Sequence, residues 1–145
     1  MVKSGFTLVE ILIVVVILGI LAAIVIPQLS NASSEAQMSR LCSDLQVTRV
    51  AIELYKIQHA DAIPGTTTGV TLEQALTQRT DENGTLDASG SLGPYLRKLP
   101  TNGYNQLGTV EMEAGSTSLG GGNCGWHFNT DTGRFHADTD DHVDL

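Results

Sequence analysis

The hydrophobic pattern changes character three times along the chain. From Phe6 to Ile26 nearly every residue is Ile, Leu, Val or Ala, and Glu10 is the one charge. As a helix rising about 1.5 Å per residue, this run spans about 31 Å, close to the ~30 Å hydrocarbon core of a bilayer. A chain of 145 residues has no core wide enough to surround a helix that is apolar on every side. A secretory signal peptide has an apolar region of about 7–15 residues and a small-residue cleavage site. Here the run is longer and leaves through Ile26-Pro27-Gln28. The pattern predicts a membrane-spanning helix over 6–26. Gly19 weakens it, and Pro27 removes one N–H and crowds the carbonyl of Ala23, so a kink or local break is expected there.

Beyond Pro27 the period becomes that of a half-buried helix. Met38, Leu41, Cys42, Leu45, Ile52 and Tyr55 form one apolar stripe, with Glu35, Ser39, Arg40, Asp44 and Lys56 mostly on other faces. Ile63-Pro64-Gly65 stops the pattern. One helix from about Phe6 to about Ala60 is expected, its second half (27–61) packed on a head domain (62–145).

Within the head, Thr71-Leu72-Glu73-Gln74 matches a capping box and predicts a short helix over about 72–79. Leu92-Gly93-Pro94-Tyr95-Leu96-Arg97-Lys98-Leu99-Pro100 reads as an irregular segment bracketed by prolines, with Tyr95, Leu96 and Leu99 as apolar anchors. Thr109 to Met112 is a candidate strand. Gly125 to Asn129 and Arg134 to Ala137 flank Asp131-Thr132-Gly133, a hairpin signal. A turn centred on Asp131-Thr132 pairs Phe128 with Phe135 and His127 with His136, and buries Trp126, Phe128 and Phe135. The expected fold is α+β: a long N-terminal helix on a small antiparallel sheet.

Charge narrows the function. The chain carries a net −8, and residues 62–145 hold four basic residues against eleven acidic ones. Nucleic acid is not an expected direct partner, because phosphate binding runs on Lys and Arg. Lys3 precedes the apolar run and the next basic residue is Arg40, so the positive-inside tendency places the N-terminus in the cytoplasm. The Gly-rich stretch from Gly115 to Gly122 lacks the spacing of a phosphate loop. No nucleophile–base pair stands in a recognisable motif, so no enzyme activity is expected.

Glu10 is the anomaly. A carboxylate in hydrocarbon is costly unless paired or neutral. No cation of the same apolar run reaches it, so a partner has to come from another molecule or from a newly made chain end. The alternative is a side chain close enough to the headgroups to snorkel.

Gly5-Phe6-Thr7-Leu8-Val9-Glu10, followed by the apolar run and Pro27, resembles the type IV prepilin signature shared by type IV pilins and type II secretion pseudopilins. The resemblance implies that residues 1–5 are a leader, cut between Gly5 and Phe6 by a prepilin peptidase that also methylates the new Phe6 amine. It implies that Glu10 pairs with the Phe6 ammonium of a neighbouring subunit as apolar helices pack into a filament, and that the stretch from Gly19 to Pro27 can unwind there. Gly93 to Pro100 resembles the "GPYL-K-LP" segment of major pseudopilins, and Gly125-Trp126-His127-Phe128-Asn129 resembles their last hairpin. Thr101-Asn102-Gly103-Tyr104-Asn105 stands where that family usually has a "DPWGN"-like run. The implied function is a pseudopilus subunit, stored in the bacterial inner membrane with a periplasmic head. Its implied partners are copies of itself, other pseudopilins, the prepilin peptidase and an inner-membrane assembly platform. The alternatives are a type IV pilus subunit and a monomeric anchored binding protein.

Three sites complete the expectations. His127 and His136, side by side on an outer face with Asp138 and Asp140 beyond, are candidates for a transition metal or for plain solvation. The acidic tail offers oxygen ligands for calcium, and the resemblance favours that ion, with Asp138 and Asp140 as ligands. Cys42 and Cys124 either form a disulfide or stay as two buried thiols.

Overall fold

The computed structural model describes Gly5, 7–115, 121–142 and Leu145. Its elements are helix α1 (Leu8–Gln58), helix α2 (Leu72–Thr77) and strands β1 (Val110–Glu113), β2 (Trp126–Asn129) and β3 (Phe135–Ala137). A 3-10 turn follows at Asp140–His142. The chain divides into two compact units, Met1–Met38 and Ser39–Leu145.

In the first unit, α1 is helical without interruption through Gly19 and Pro27. The break expected at Pro27 is absent, since a proline deletes one ladder bond and the flanking turns keep theirs. Leu8–Ile26 has a mean hydropathy of 3.3, and none of it is buried among the described residues.

In the second unit, the buried stripe of α1 is Leu41, Leu45, Thr48, Ile52 and Tyr55, continued by His59 just past the helix. The spacing alternates between four and three residues, the repeat of a core-facing helix. Thr48 returns its hydroxyl to the Asp44 carbonyl at 2.8 Å, so a polar residue sits in the core without an orphaned group. His59 stacks on Tyr55 at 3.8 Å and bonds Thr80 Oγ1 at 3.0 Å. The helix ends at Gln58 rather than at the Pro64 signal, because Ala60 and Asp61 adopt left-handed backbone (φ 53° and 68°). The Asp61 N–H then closes the end on the Lys56 carbonyl at 2.8 Å.

The capping box of α2 is present in both directions: Thr71 Oγ1 accepts from the Gln74 amide, and Gln74 Oε1 accepts from the Thr71 amide. The Tyr95 and Leu96 amides both donate to the Leu76 carbonyl, at 2.8 and 2.9 Å. The proline-bracketed segment thus satisfies the C-terminal end of α2. Leu99 is buried, and Tyr95 and Leu96 pack against the core.

The sheet has the order β1-β2-β3. The hairpin register is the expected one, His127 opposite His136 and Phe128 opposite Phe135. Trp126, Phe128 and Phe135 are fully buried. The fold is α+β, but the sheet is mixed rather than antiparallel, because β1 runs parallel to β2, Val110 opposite Trp126. Parallel neighbours need a connection of about a dozen residues, and the Gly-rich stretch between Glu113 and Trp126 supplies it. Residues 116–120 of that stretch lie outside the described residues. Arg49 ties the hairpin to α1 with two bonds to the Phe135 carbonyl, at 3.0 and 2.7 Å, and also donates to the Leu145 carbonyl.

Trp126 Nε1 donates to the Pro100 carbonyl at 2.8 Å, and the buried Asn102 donates to the Gly125 carbonyl at 2.9 Å. This close approach explains Gly125: a Cβ there would lie 2.1 Å from the Leu107 carbonyl oxygen. Gly125→Ala is expected to destabilise the head by about 1–3 kcal/mol through forced backbone displacement. The check is a lower urea midpoint, read by the fluorescence of Trp126, the one tryptophan of the chain, in detergent-solubilised protein.

Candidate functional site

The start of α1 is built by two residues three apart. The Thr7 amide and hydroxyl donate to Glu10 Oε2 at 2.8 and 2.7 Å, and the Glu10 amide donates back to Thr7 Oγ1 at 3.3 Å. This is a capping box, and it places a carboxylate in the first turn, where the helix dipole favours negative charge. Glu10 therefore has hydrogen-bond partners inside its own chain. The signal was present as Thr7-Leu8-Val9-Glu10, the same pattern that marked α2. Gly5 is exposed, and a Cβ on it would meet nothing within 4 Å. Phe6 lies outside the described residues.

Behind this cap, the apolar side chains from Leu8 to Ile26 are at least half exposed. Nothing in the first unit covers them. An apolar surface of this extent marks a membrane or protein contact.

Residues 1–26 match the prokaryotic N-terminal methylation motif. The chain is 38% identical over 100 residues to the type II secretion system core protein G of Pseudomonas aeruginosa, covering 69% of this chain and 67% of that protein. It is 34% identical over 119 residues to the type II secretion system core protein G of Vibrio cholerae, covering 76% of this chain and 77% of that protein. The chain belongs to the type II secretion system core protein G family. No solved structure matches it. The family assignment favours the secretion reading over a pilus subunit or an anchored monomer, and the motif together with the apolar helix supports anchoring in a membrane.

The remaining candidate residues of this core protein G relative gather at one place or disperse. Cys42 is exposed and Cys124 is buried, and both are free thiols. Cys42 neighbours Leu41 but stands about 100° around the helix, off the buried stripe. His127 is not on a solvated face; it is buried beside Asp138, with Nε2 3.1 Å from Oδ1. His136 lies opposite it in the ladder.

Asp138 is fully buried. Its Oδ2 accepts from the Cys124 amide at 3.0 Å and from the Cys124 thiol at 3.2 Å. The Asp140 side chain, Val143 and Asp144 lie outside the described residues.

Burial alone pushes the Asp138 carboxyl upward, but the Cys124 amide and thiol, the Gly122 amide and the nearby His127 outweigh it and hold the group at about 2. The Cys124 thiol is pushed up to about 12, by burial first and by Asp138 next. A carboxylate depressed in the folded state contributes stability above its unfolded value near 4, and that contribution is lost as pH falls toward 2. Its size is about 2 kcal/mol. Asp138→Asn is expected to flatten the fall in denaturation midpoint between pH 4 and pH 2, followed by Trp126 fluorescence. An unchanged slope would mean that Asp138 titrates normally.

Proposed function

We propose that this chain is a filament-forming subunit of a type II secretion pseudopilus, stored in the bacterial inner membrane and then polymerised. Its N-terminus lies in the cytoplasm and its head in the periplasm. A prepilin peptidase removes Met1–Gly5 and methylates the new Phe6 amine. Copies of the same chain are the main partners, with other pseudopilins and an inner-membrane assembly platform. The role is structural, and no catalytic residue is assigned.

The observation that carries this reading is a 19-residue apolar helix, uncovered by any of the described residues, that begins on a capped carboxylate. In a bilayer the lipid covers that helix. In a filament the helices of neighbouring copies cover it instead. Glu10, held at the helix start by Thr7, then faces the Phe6 ammonium of the adjacent copy, and each charge supplies the other's counter-charge. A snorkelling carboxylate would make no such demand on the neighbour.

Production in a bacterium with an intact type II secretion system tests the reading as a whole. Mass spectrometry of the membrane-bound protein is expected to find a chain that begins at Phe6 and carries one added methyl group on its amine. Electron microscopy of the overproducing cells is expected to show filaments that contain it. Protein that still begins at Met1 would refute the processing step, and correctly processed protein that never forms filaments would refute the assembly step.

A further inference from the structure

Four side chains from four separate segments converge beside the hairpin. Glu111 comes from β1, Cys124 from the turn before β2, His127 from β2 and Asp138 from the residue after β3. His127 Nε2 is 3.1 Å from Asp138 Oδ1 and 3.9 Å from Glu111 Oε2. Cys124 Sγ is 3.2 Å from Asp138 Oδ2 and 3.7 Å from Glu111 Oε2. Cys124, His127 and Asp138 are more than nine-tenths buried, whereas the Glu111 side chain is 48% exposed. The cluster is thus closed on three sides and open to solvent on the fourth, which gives an ion a way in.

The donor set is one sulfur, one imidazole nitrogen and two carboxylates. A tetrahedral zinc ion with Zn–S near 2.3 Å and Zn–N or Zn–O near 2.0–2.2 Å separates its donors by about 3.4–3.6 Å. The donor atoms of Glu111, Cys124 and His127 all lie within 4.8 Å of one another, and Asp138 reaches His127 through Oδ1 and Cys124 through Oδ2, so the carboxylate has to turn one oxygen to the ion as the four donors close on it. Calcium and magnesium prefer oxygen throughout, whereas a mixed sulfur, nitrogen and oxygen set selects zinc and similar transition ions. Charge agrees with this choice. Two carboxylates and a thiolate place three negative charges beside a neutral imidazole, and a dication offsets two of them as the thiol gives up its proton.

We propose that Glu111, Cys124, His127 and Asp138 form a tetrahedral site for a divalent transition cation, zinc in the first place. The ion joins β1, β2, the turn between them and the tail after β3, which makes it a structural clamp on the head. Binding breaks the Cys124 S–H bond, forms a metal–thiolate bond and releases one proton to solvent. This inference does not depend on the assembly reading.

The test uses the full chain in detergent, treated with a chelator and a thiol reductant, then titrated with cobalt(II). The expected result is one cobalt per chain, with a thiolate charge-transfer band in the near ultraviolet and the intense visible bands of tetrahedral cobalt, both abolished by added zinc. Cys124→Ser is expected to remove the charge-transfer band, and Cys42→Ser to leave it intact. Glu111→Gln, at the exposed ligand, serves as the variant that keeps its fold. It is expected to weaken zinc binding by more than about 100-fold, beyond what losing an outer hydrogen-bond partner costs. Zinc is expected to raise the melting temperature of the wild type, and to raise that of Glu111→Gln by less. Absence of the charge-transfer band in the wild type, its loss in Cys42→Ser, or equal zinc affinity in Glu111→Gln would overturn the proposal.

Discussion

An apolar cylinder that none of the described residues covers is the constraint on which the rest of this molecule depends. Leu8–Ile26 carries large side chains on every face. Such a helix cannot stay in water at any useful concentration, and it has two ways to be covered: lipid tails, or other helices of the same kind. Packing alone distinguishes little between these two environments, because hydrocarbon chains are about as apolar as leucine. A charge placed in the first turn can distinguish them. In the stored subunit the Thr7–Glu10 cap supplies hydrogen bonds but no counter-charge. In the proposed filament, a neighbour with a processed, positively charged terminus supplies that.

The head is built on the C-terminal part of α1. The same helix that begins with the apolar run supplies Leu41, Leu45, Thr48, Ile52 and Tyr55 to the head core. Arg49 then holds the hairpin through the Phe135 carbonyl. The segments without regular structure are tied by polar groups that each have a stated partner. Asn102 and Trp126 Nε1 fix the turn after Pro100, and the Tyr95 and Leu96 amides finish α2. Buried polar groups satisfied in this way give a small sheet one register rather than several.

Much of this was legible in the residues, and the failures share a cause. The α2 cap, the hairpin register and the burial of Trp126, Phe128 and Phe135 follow from short-range patterns, and they appear as expected. The direction of β1 does not, because a Gly-rich connection leaves open whether the next strand returns antiparallel or crosses over. Cys42 illustrates the limit of a stripe drawn by hydrophobicity: Thr48 takes the buried position and Cys42 faces out. His127 shows that alternation reports the face of a strand and not what covers it, since Glu111, Cys124 and Asp138 close over that side. The capping role of Glu10 was present in the pattern and was obscured by its charge.

The claim that the charge of Glu10 governs assembly is tested most directly by Glu10→Gln. Glutamine keeps the acceptor that a capping box needs and removes only the negative charge. Filaments counted by electron microscopy, normalised to membrane-bound subunit cleaved at Phe6, separate the two roles. The account predicts normal insertion and processing with filaments largely lost. Wild-type filament yield from Glu10→Gln would contradict it, and would leave capping as the sole function of that carboxylate.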